Sequence, residues 1–374
     1  MITDETAPAD VRDIALDVAE IWPDYQPTSL IELPALARLA RVRRVLAKME
    51  GERPLGNFKV LGGMVAALRA LARVAGVTRL RDLRREVSLA RSLGPPTLVC
   101  ASAGNHGLAV AAAARWAGTR ATVYLAESAN RARAARIEAL GARVVWTPGT
   151  YDDAVAHASR DEGLLIADTS ASSDDPVVRD VMTGYSLIAR ELAASLGESG
   201  AVEEEDRGGR EAAARPTHLF VQAGVGGLAA ALAEGSPAFM GAARRIVVVE
   251  PASAACVAAA LAAGAPVRVE GDLHTGAEML ACGLASAPAV RALREHSAAS
   301  VLVDEELLQQ AVRQLHDAEG VATTASGATG LAGLLLVSAS DELRELHQLS
   351  EESCVLLVIT EGPAPSTATI LGTA

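Results

Sequence analysis

From about residue 97 the chain alternates short β-branched and aliphatic runs with amphipathic stretches, and this alternation restricts the fold more than any other feature. The segment "TLVCASAGNHGLAVAAAARWAG" reads as strand, glycine-bearing turn and helix. "RATVYLAES" is a second strand, "NRARAARIEALGA" a helix stopped by glycine, "RVVWTPG" a third strand, and "TYDDAVAHASRDEG" a helix opened by Thr150 or Asp152 as cap. "LLIADTS" follows as a fourth strand. A hydrophobic period that switches repeatedly between 2 and 3.6 predicts βαβ units on a largely parallel sheet. The alternation resumes in "THLFVQAGVGGLAAALAEG", "RIVVVEPASAACVAAALAAG" and "SCVLLVITEGP".

The expectation is an α/β protein of two lobes, each with a mainly parallel twisted sheet flanked by helices. A smaller lobe covers residues 91–189, and a larger one combines 1–90 with 190–374. With 374 residues, half of them hydrophobic, the chain can fill two cores of moderate size. Residues 197–216, "GESGAVEEEDRGGREAAARP", are charged, glycine-rich and poor in apolar residues, which predicts a flexible surface insertion. The stretch around Lys59 is assigned to the larger lobe, because a helix from Gly62 through Ala72 has an apolar face that needs cover.

A formal net charge of -12 argues against a nucleic-acid partner, since such proteins carry basic patches that displace counterions from phosphates. The opening "MITDETAPADVRDIALDVAE" has no basic-then-apolar leader, and no uninterrupted apolar stretch is long enough to span a bilayer. A cytoplasmic protein without membrane contact is therefore expected. The four cysteines, Cys100, Cys256, Cys282 and Cys354, stand singly and without metal-ligand spacing, so buried free thiols are expected and no metal.

Three short segments could carry chemistry. "LGNFKVLGG" sets Lys59 among apolar and glycine neighbours, where burial would lower its pKa and make the amine a usable nucleophile and base. A snorkelling structural lysine is the alternative. "QAGVGGLAAALA" places Gly224, Gly226 and Gly227 between a strand and a helix, where free N–H groups and the helix dipole favour an anion such as phosphate. The same turn also serves tight helix-on-sheet packing. "SAGNHG" ends another parallel strand, the usual ligand edge of such sheets. There Ser102, Ala103, Gly104, Asn105 and His106 could grip a substrate carboxylate, or form an ordinary Asn/Gly turn.

"GNFKVLGG", "SAGNHG", "QAGVGGL" and the closing "VITEG" occur together in the order and approximate spacing of the tryptophan synthase β-like, or fold type II, pyridoxal phosphate enzymes. The chain is similar to that superfamily in all four. Within it, the chain most resembles diaminopropionate ammonia-lyase, through "YQPTSLIELPALA", "NFKVLGG", "DTS" with "MTGY", "VVVEPASAAC", "TGAEMLACG" and "ITEGP". The resemblance implies pyridoxal 5'-phosphate as cofactor, with Lys59 forming the Schiff base and Phe58 beside the ring. It further implies that Gly224, Val225, Gly226, Gly227 and Leu228 hold the phosphate, that Asn105 bonds the 3'-oxygen, and that Thr360 faces the pyridine nitrogen. A neutral hydroxyl at that nitrogen makes the ring a weaker electron sink than a carboxylate would, favouring loss of a β-substituent once the α-proton leaves.

The sequence also departs from the lyase pattern. That pattern runs Thr-Asp-Gly-Asn-His, whereas this chain has Ser102 and Ala103, the form typical of serine and threonine dehydratases. Asp168 matches the family's second acidic position, but "DTSASSDD" lacks the tryptophan that normally follows. The expected activity is elimination of ammonia from a β-substituted amino acid to give a 2-oxo acid. Lys59 would act as base, and Asp168 as partner of the β-amine or as the acid assisting its departure, with strand-end turn chemistry as the alternative for Asp168. A dehydratase or β-replacement enzyme is the alternative, and a cofactor-binding protein without turnover a third. His106 is expected mainly as a turn and lobe contact, His274 and Thr275 as loop packing, and Glu361 as part of a strand-end turn. A homodimer is expected from the resemblance.

Overall fold

The computed structural model describes residues 17–89, 96–102, 104–206 and 215–363. Among them, ten strands form two sheets: β1 (Leu30–Glu32), β2 (Arg44–Met49), β3 (Leu98–Ser102), β4 (Ala121–Ala126), β5 (Arg143–Thr147), β6 (Leu164–Leu165), β7 (His218–Gln222), β8 (Arg245–Pro251), β9 (Ala299–Val303) and β10 (Cys354–Ile359). The larger sheet has the order β1-β2-β10-β7-β8-β9, parallel except for the antiparallel edge strand β1. The smaller sheet, β5-β4-β3-β6, is wholly parallel. The α/β architecture expected from the alternating pattern is the one found.

Strand chemistry follows position in the sheet. Every residue of β10, "CVLLVI", is buried, as a continuous apolar run must be when helices cover both faces of a central parallel strand. In the smaller sheet the helices Asn105–Ala117, Arg131–Ala139 and Tyr151–Ala158 alternate with the strands. Thr150 caps the last of these in a reciprocal capping box with Asp153. The segment "LLIADTS" pairs over only Leu164–Leu165. Beyond Ile166, whose N–H still bonds the Val99 carbonyl, it leaves the sheet edge and delivers Asp168 to the crevice between the two sheets.

The helix Lys59–Ala75 ends at Gly76 in the left-handed conformation, and twelve of its residues are buried. It packs on elements of both lobes, on Asn105–Ala117 and on Pro176–Asp206. Contact with the second is backbone-close. A β-carbon at Gly62 would lie 2.5 Å from the Tyr185 ring and 2.6 Å from the Val181 carbonyl oxygen, and one at Gly184 would lie 2.6 Å from Gly62 Cα.

The helix Pro176–Asp206 runs 31 residues without a break, through residue 189 and on past 197. Of the insertion expected at 197–216, the residues up to Asp206 continue this helix, and 207–214 lie outside the described part. Ala, Leu and Glu are strong helix formers, and Gly197 and Gly200 each cost only about 1 kcal/mol against them. Among the described residues no single helix is long and apolar enough to cross a membrane. The apolar helix Lys59–Ala75 finds its cover inside the protein.

Candidate active site

Three parallel strands end at one crevice between the sheets. β3 runs into residues 102–107, β7 into 222–228 and β10 into 360–361, and the first turn of Lys59–Ala75 faces them. Carboxyl ends of parallel strands, with the helix N-termini that follow, are the ligand edge of open α/β sheets. Lys59, Phe58, Ser102, Gly104, Asn105, His106, Asp168, Gly224, Val225, Gly226, Gly227, Leu228 and Thr360 all line the crevice. Ala103 lies outside the described residues. His274, exposed, and Thr275, whose hydroxyl accepts the Ala277 N–H, are not part of the lining.

Lys59 occupies the first helical position, and its Nζ donates to Asp168 Oδ2 at 2.6 Å. The Tyr151 hydroxyl donates to the other oxygen, Oδ1, at 2.8 Å. The lysine side chain is 19% exposed and the aspartate 8%. Burial opposes the charge on Lys59, but the Asp168 carboxylate outweighs it and holds the ammonium above the ordinary lysine value. Burial likewise opposes ionisation of Asp168, yet the Lys59 ammonium and the Tyr151 hydrogen bond hold its carboxyl well below the usual range. The sequence had pointed to a lysine made less basic by burial. The structure reverses that direction, because the anion facing Lys59 comes from 109 residues further along the chain.

The turn after β3 is stapled by Ser102, whose Oγ accepts the N–H groups of Gly104 and Gly107 at 2.8 Å each. Those two donors are therefore engaged inside the turn. Asn105 Nδ2 donates to the Glu361 carboxylate, which also takes the Thr324 hydroxyl. His106 Nε2 lies 2.8 Å from the Ile166 carbonyl oxygen. A carbonyl can only accept, so Nε2 carries the hydrogen and Nδ1 is left as a buried acceptor without a partner. Burial lowers the His106 pKa and favours this neutral form. Its place is against Gly63 of the lysine-bearing helix, a contact between lobes.

The turn after β7 opens the helix Gly227–Phe239, with Gly226 in the left-handed region at φ 95°. A residue there reverses the chain so that the N–H groups of the helix's first turn, which have no intrahelical acceptor, face the crevice. Cys282 lines the crevice beside this turn, its Sγ 3.2 Å from where a β-carbon at Gly224 would lie, and Cys256 Sγ donates to the Gly224 carbonyl at 3.3 Å. Opposite stands Thr360, buried, its Oγ1 2.9 Å from Gln222 Nε2. Phe58 and Tyr185 form one wall, with ring centroids 4.9 Å apart. The Tyr185 hydroxyl is buried with no partner among the described residues.

These features fit pyridoxal phosphate: an amine for its aldehyde, a helix N-terminus for its phosphate, a hydroxyl for its ring nitrogen and aromatic walls for its ring. The orphaned Tyr185 hydroxyl marks a place where a polar ligand atom is wanted. Among the described residues no group of three His, Cys, Asp or Glu side chains converges on a metal position.

Sequence reasoning missed Tyr151, Tyr185 and Gln222 and placed Glu361 only in a turn, yet all four line the crevice. Tyr151 follows directly on the Thr150 cap and carried no local signal, whereas Tyr185 closes the quoted "MTGY" segment but was given no role. Gln222 did carry one, as a lone polar residue closing the apolar strand "HLFVQ".

The chain matches the family described as "Pyridoxal-phosphate dependent enzyme" over residues 21–361. It is 30% identical to the diaminopropionate ammonia-lyase of Escherichia coli strain K12 over 356 residues, covering 90% of this chain and 85% of that protein. A probable D-serine dehydratase of Sinorhizobium medicae is 28% identical over 310 residues, covering 78% of this chain and 66% of that one. The crystal structure of holo diaminopropionate ammonia-lyase from Escherichia coli superposes with a TM-score of 0.79 at 26% identity, covering 97% of this chain and 91% of that one. A lysine at the head of a core helix, a phosphate-type turn on β7 and a match along nearly the whole chain lead to one conclusion: this chain belongs to the family of pyridoxal-phosphate dependent enzymes.

Proposed function

We propose that the protein is a pyridoxal-phosphate-dependent lyase that eliminates ammonia from 2,3-diaminopropionate, or an amino acid with an amine at the same β-position, to give a 2-oxo acid. The observation that carries this reading is the Lys59–Asp168 pair at 2.6 Å. Asp168 is a buried carboxylate held ionised, and a buried anion needs a cation. When the Lys59 amine is engaged with the cofactor, Asp168 keeps only the Tyr151 hydroxyl. A β-ammonium group on the substrate restores the missing charge. A neutral β-hydroxyl offers only a hydrogen bond.

In this reading Lys59 holds the aldehyde end, Gly224 to Leu228 the phosphate, Asn105 the 3'-oxygen and Thr360 the ring nitrogen. The cofactor supplies an electrophilic carbon for an amine and a ring that spreads the electrons of a broken Cα–H bond. Lys59 takes the α-proton as base. Asp168 keeps the β-nitrogen protonated, so that it departs as neutral ammonia. Glu361 orients Asn105, and the neutral His106 fills the seam between the lobes without competing as a base. The released unsaturated amine hydrolyses in water to the 2-oxo acid and a second ammonia.

Elimination from a β-hydroxy amino acid is the second reading, favoured by the similarity to a probable D-serine dehydratase and by the Ser102-Ala103 pair in the turn. Purified protein supplied with cofactor and offered diaminopropionate, serine or threonine separates the two. Ammonia and pyruvate from diaminopropionate, in clear excess over turnover of serine and threonine, is the expected result, and the reverse order sinks the first reading. Lys59→Ala is expected to lose the visible absorbance of lysine-bound cofactor, and an unchanged spectrum refutes its role. Assembly as a homodimer in the cytoplasm belongs to the same proposal, with light scattering of the purified protein as the test of its mass.

A further inference from the structure

We infer that Gln222 sets the direction of the Thr360 hydroxyl and, through it, keeps the cofactor's ring nitrogen unprotonated. The inference rests on Thr360 being the partner of that nitrogen. It adds a positioning residue to which neither the family pattern nor the turn sequence pointed. Gln222 is the last residue of β7 and is 3% exposed. Its Nε2 lies 3.1 Å from the Ser326 carbonyl oxygen, 3.2 Å from that of Gly327 and 3.0 Å from that of Val358, besides 2.9 Å from Thr360 Oγ1. Three of these four neighbours can only accept hydrogen bonds. The orientation of the amide therefore follows from its surroundings, since turning it over would set its oxygen among three carbonyl oxygens.

An amide NH₂ cannot accept, so in its contact with Gln222 the Thr360 oxygen is the acceptor and its own hydrogen must point elsewhere. Among the described residues, no acceptor stands within hydrogen-bond reach of that hydrogen, and Thr360 borders the crevice. The hydroxyl is thus presented to a ligand as a donor. A ring nitrogen that accepts this hydrogen keeps its lone pair and carries no proton. Gln222 contributes by occupying the acceptor side of the hydroxyl, so that its hydrogen is left to the crevice. Its Oε1 is left buried and unpartnered. That cost is one a purely structural glutamine would not need to bear, because a well-packed apolar side chain would avoid it.

The test is the ring-nitrogen resonance of the holoenzyme reconstituted with pyridoxal phosphate labelled with nitrogen-15, in the wild type, Gln222→Met, Thr360→Val and the double variant. The wild type is expected to show an unprotonated nitrogen from mildly acid to alkaline pH. Gln222→Met should move the resonance to the position seen in Thr360→Val and weaken cofactor retention to a similar degree, and the double variant should add nothing further. The near-isosteric Gln222→Glu, which exchanges the donor for an acceptor, should give the same displacement. A wild-type resonance that is protonated overturns the inference whatever the variants do. So does a Gln222→Met or Gln222→Glu resonance that stays at the wild-type position. If neither variant folds, Gln222 is a brace for β7, β10 and the helix Ala325–Ser338, and the inference falls. Loss of turnover on diaminopropionate with these resonances intact would remove the substrate reading alone.

Discussion

Replacing Asp168 by asparagine keeps the shape of the site and removes one charge. In the cofactor-free protein Asp168 accepts from Lys59 at 2.6 Å and from Tyr151 at 2.8 Å. Deleting one member of a buried pair typically costs about 3–5 kcal/mol, most of it the penalty of the charge left behind. Lys59 retains 19% of its exposure and recovers part of that penalty in water. The expected loss is therefore about 2–3 kcal/mol, which is roughly 30- to 150-fold in the folding equilibrium. With its counterion gone, burial acts unopposed on Lys59 and its pKa moves below the ordinary lysine value.

The dependence on pH has a definite sign. Asp168 is held below its unfolded value, so its contribution is present above about pH 4 and fades as pH falls through the folded value. Lys59 is held above its unfolded value, so its contribution is complete below about pH 10.4 and fades as pH rises further. Urea unfolding of the two cofactor-free proteins should show a constant difference between about pH 5 and pH 9, shrinking on either side. In the loaded enzyme, kcat/KM for diaminopropionate should fall about 10²- to 10⁴-fold, the usual loss for a proton-handling group. Turnover of serine should fall much less. Equal stability at neutral pH refutes the ion-pair argument, and equal loss on both substrates refutes the assignment of Asp168 to the β-ammonium.

Gly62→Ala puts a methyl group 2.5 Å from the Tyr185 ring and 2.6 Å from the Val181 carbonyl; thermal melts should show a loss of about 1–3 kcal/mol. Glu191 Oε2 accepts from both Lys48 Nζ and Arg53 Nη2 at 2.6 Å, with all three side chains at most 4% exposed. Glu191→Leu removes one anion from a cluster in which Lys48 keeps the Thr28 carbonyl and Arg53 keeps Glu50, leaving two buried cations to one carboxylate, so urea titration should report a cost of about 3 kcal/mol. Two ion pairs cross between the lobes beside the crevice, Arg133 with Glu278 and Arg268 with Asp152, and Glu278 and Arg268 are about half exposed. Arg133→Ala should raise KM by up to about fivefold at low salt, with the difference disappearing near 0.5 M salt, as pairs open to solvent are screened.

How much of this was legible beforehand depended on the range of the interaction involved. The strands and helices of the smaller lobe followed from local periodicity, because strand against helix is decided within a window of about a dozen residues. The same locality explains why the Thr150 cap and the glycine turn at 224–227 could be placed from their own segments. The charged stretch after residue 197 was read for its polarity, which signals exposure and does not report helix propensity, and its alanines and glutamates carry the helix on to Asp206.

The sequence by itself determined an α/β chain with one lysine in a greasy setting and two turns suited to an anion and a carboxylate, since backbone conformation and hydrophobic period are short-range properties. Only the tertiary structure decided what each of those groups faces. It set Asp168 against Lys59 across 109 residues and so reversed the lysine's titration. It turned Ser102 inward as a staple and brought Gln222 onto Thr360 from 138 residues away. Charge and hydrogen-bond direction depend on neighbours within a few ångströms in space, and distance along the chain carries no record of them.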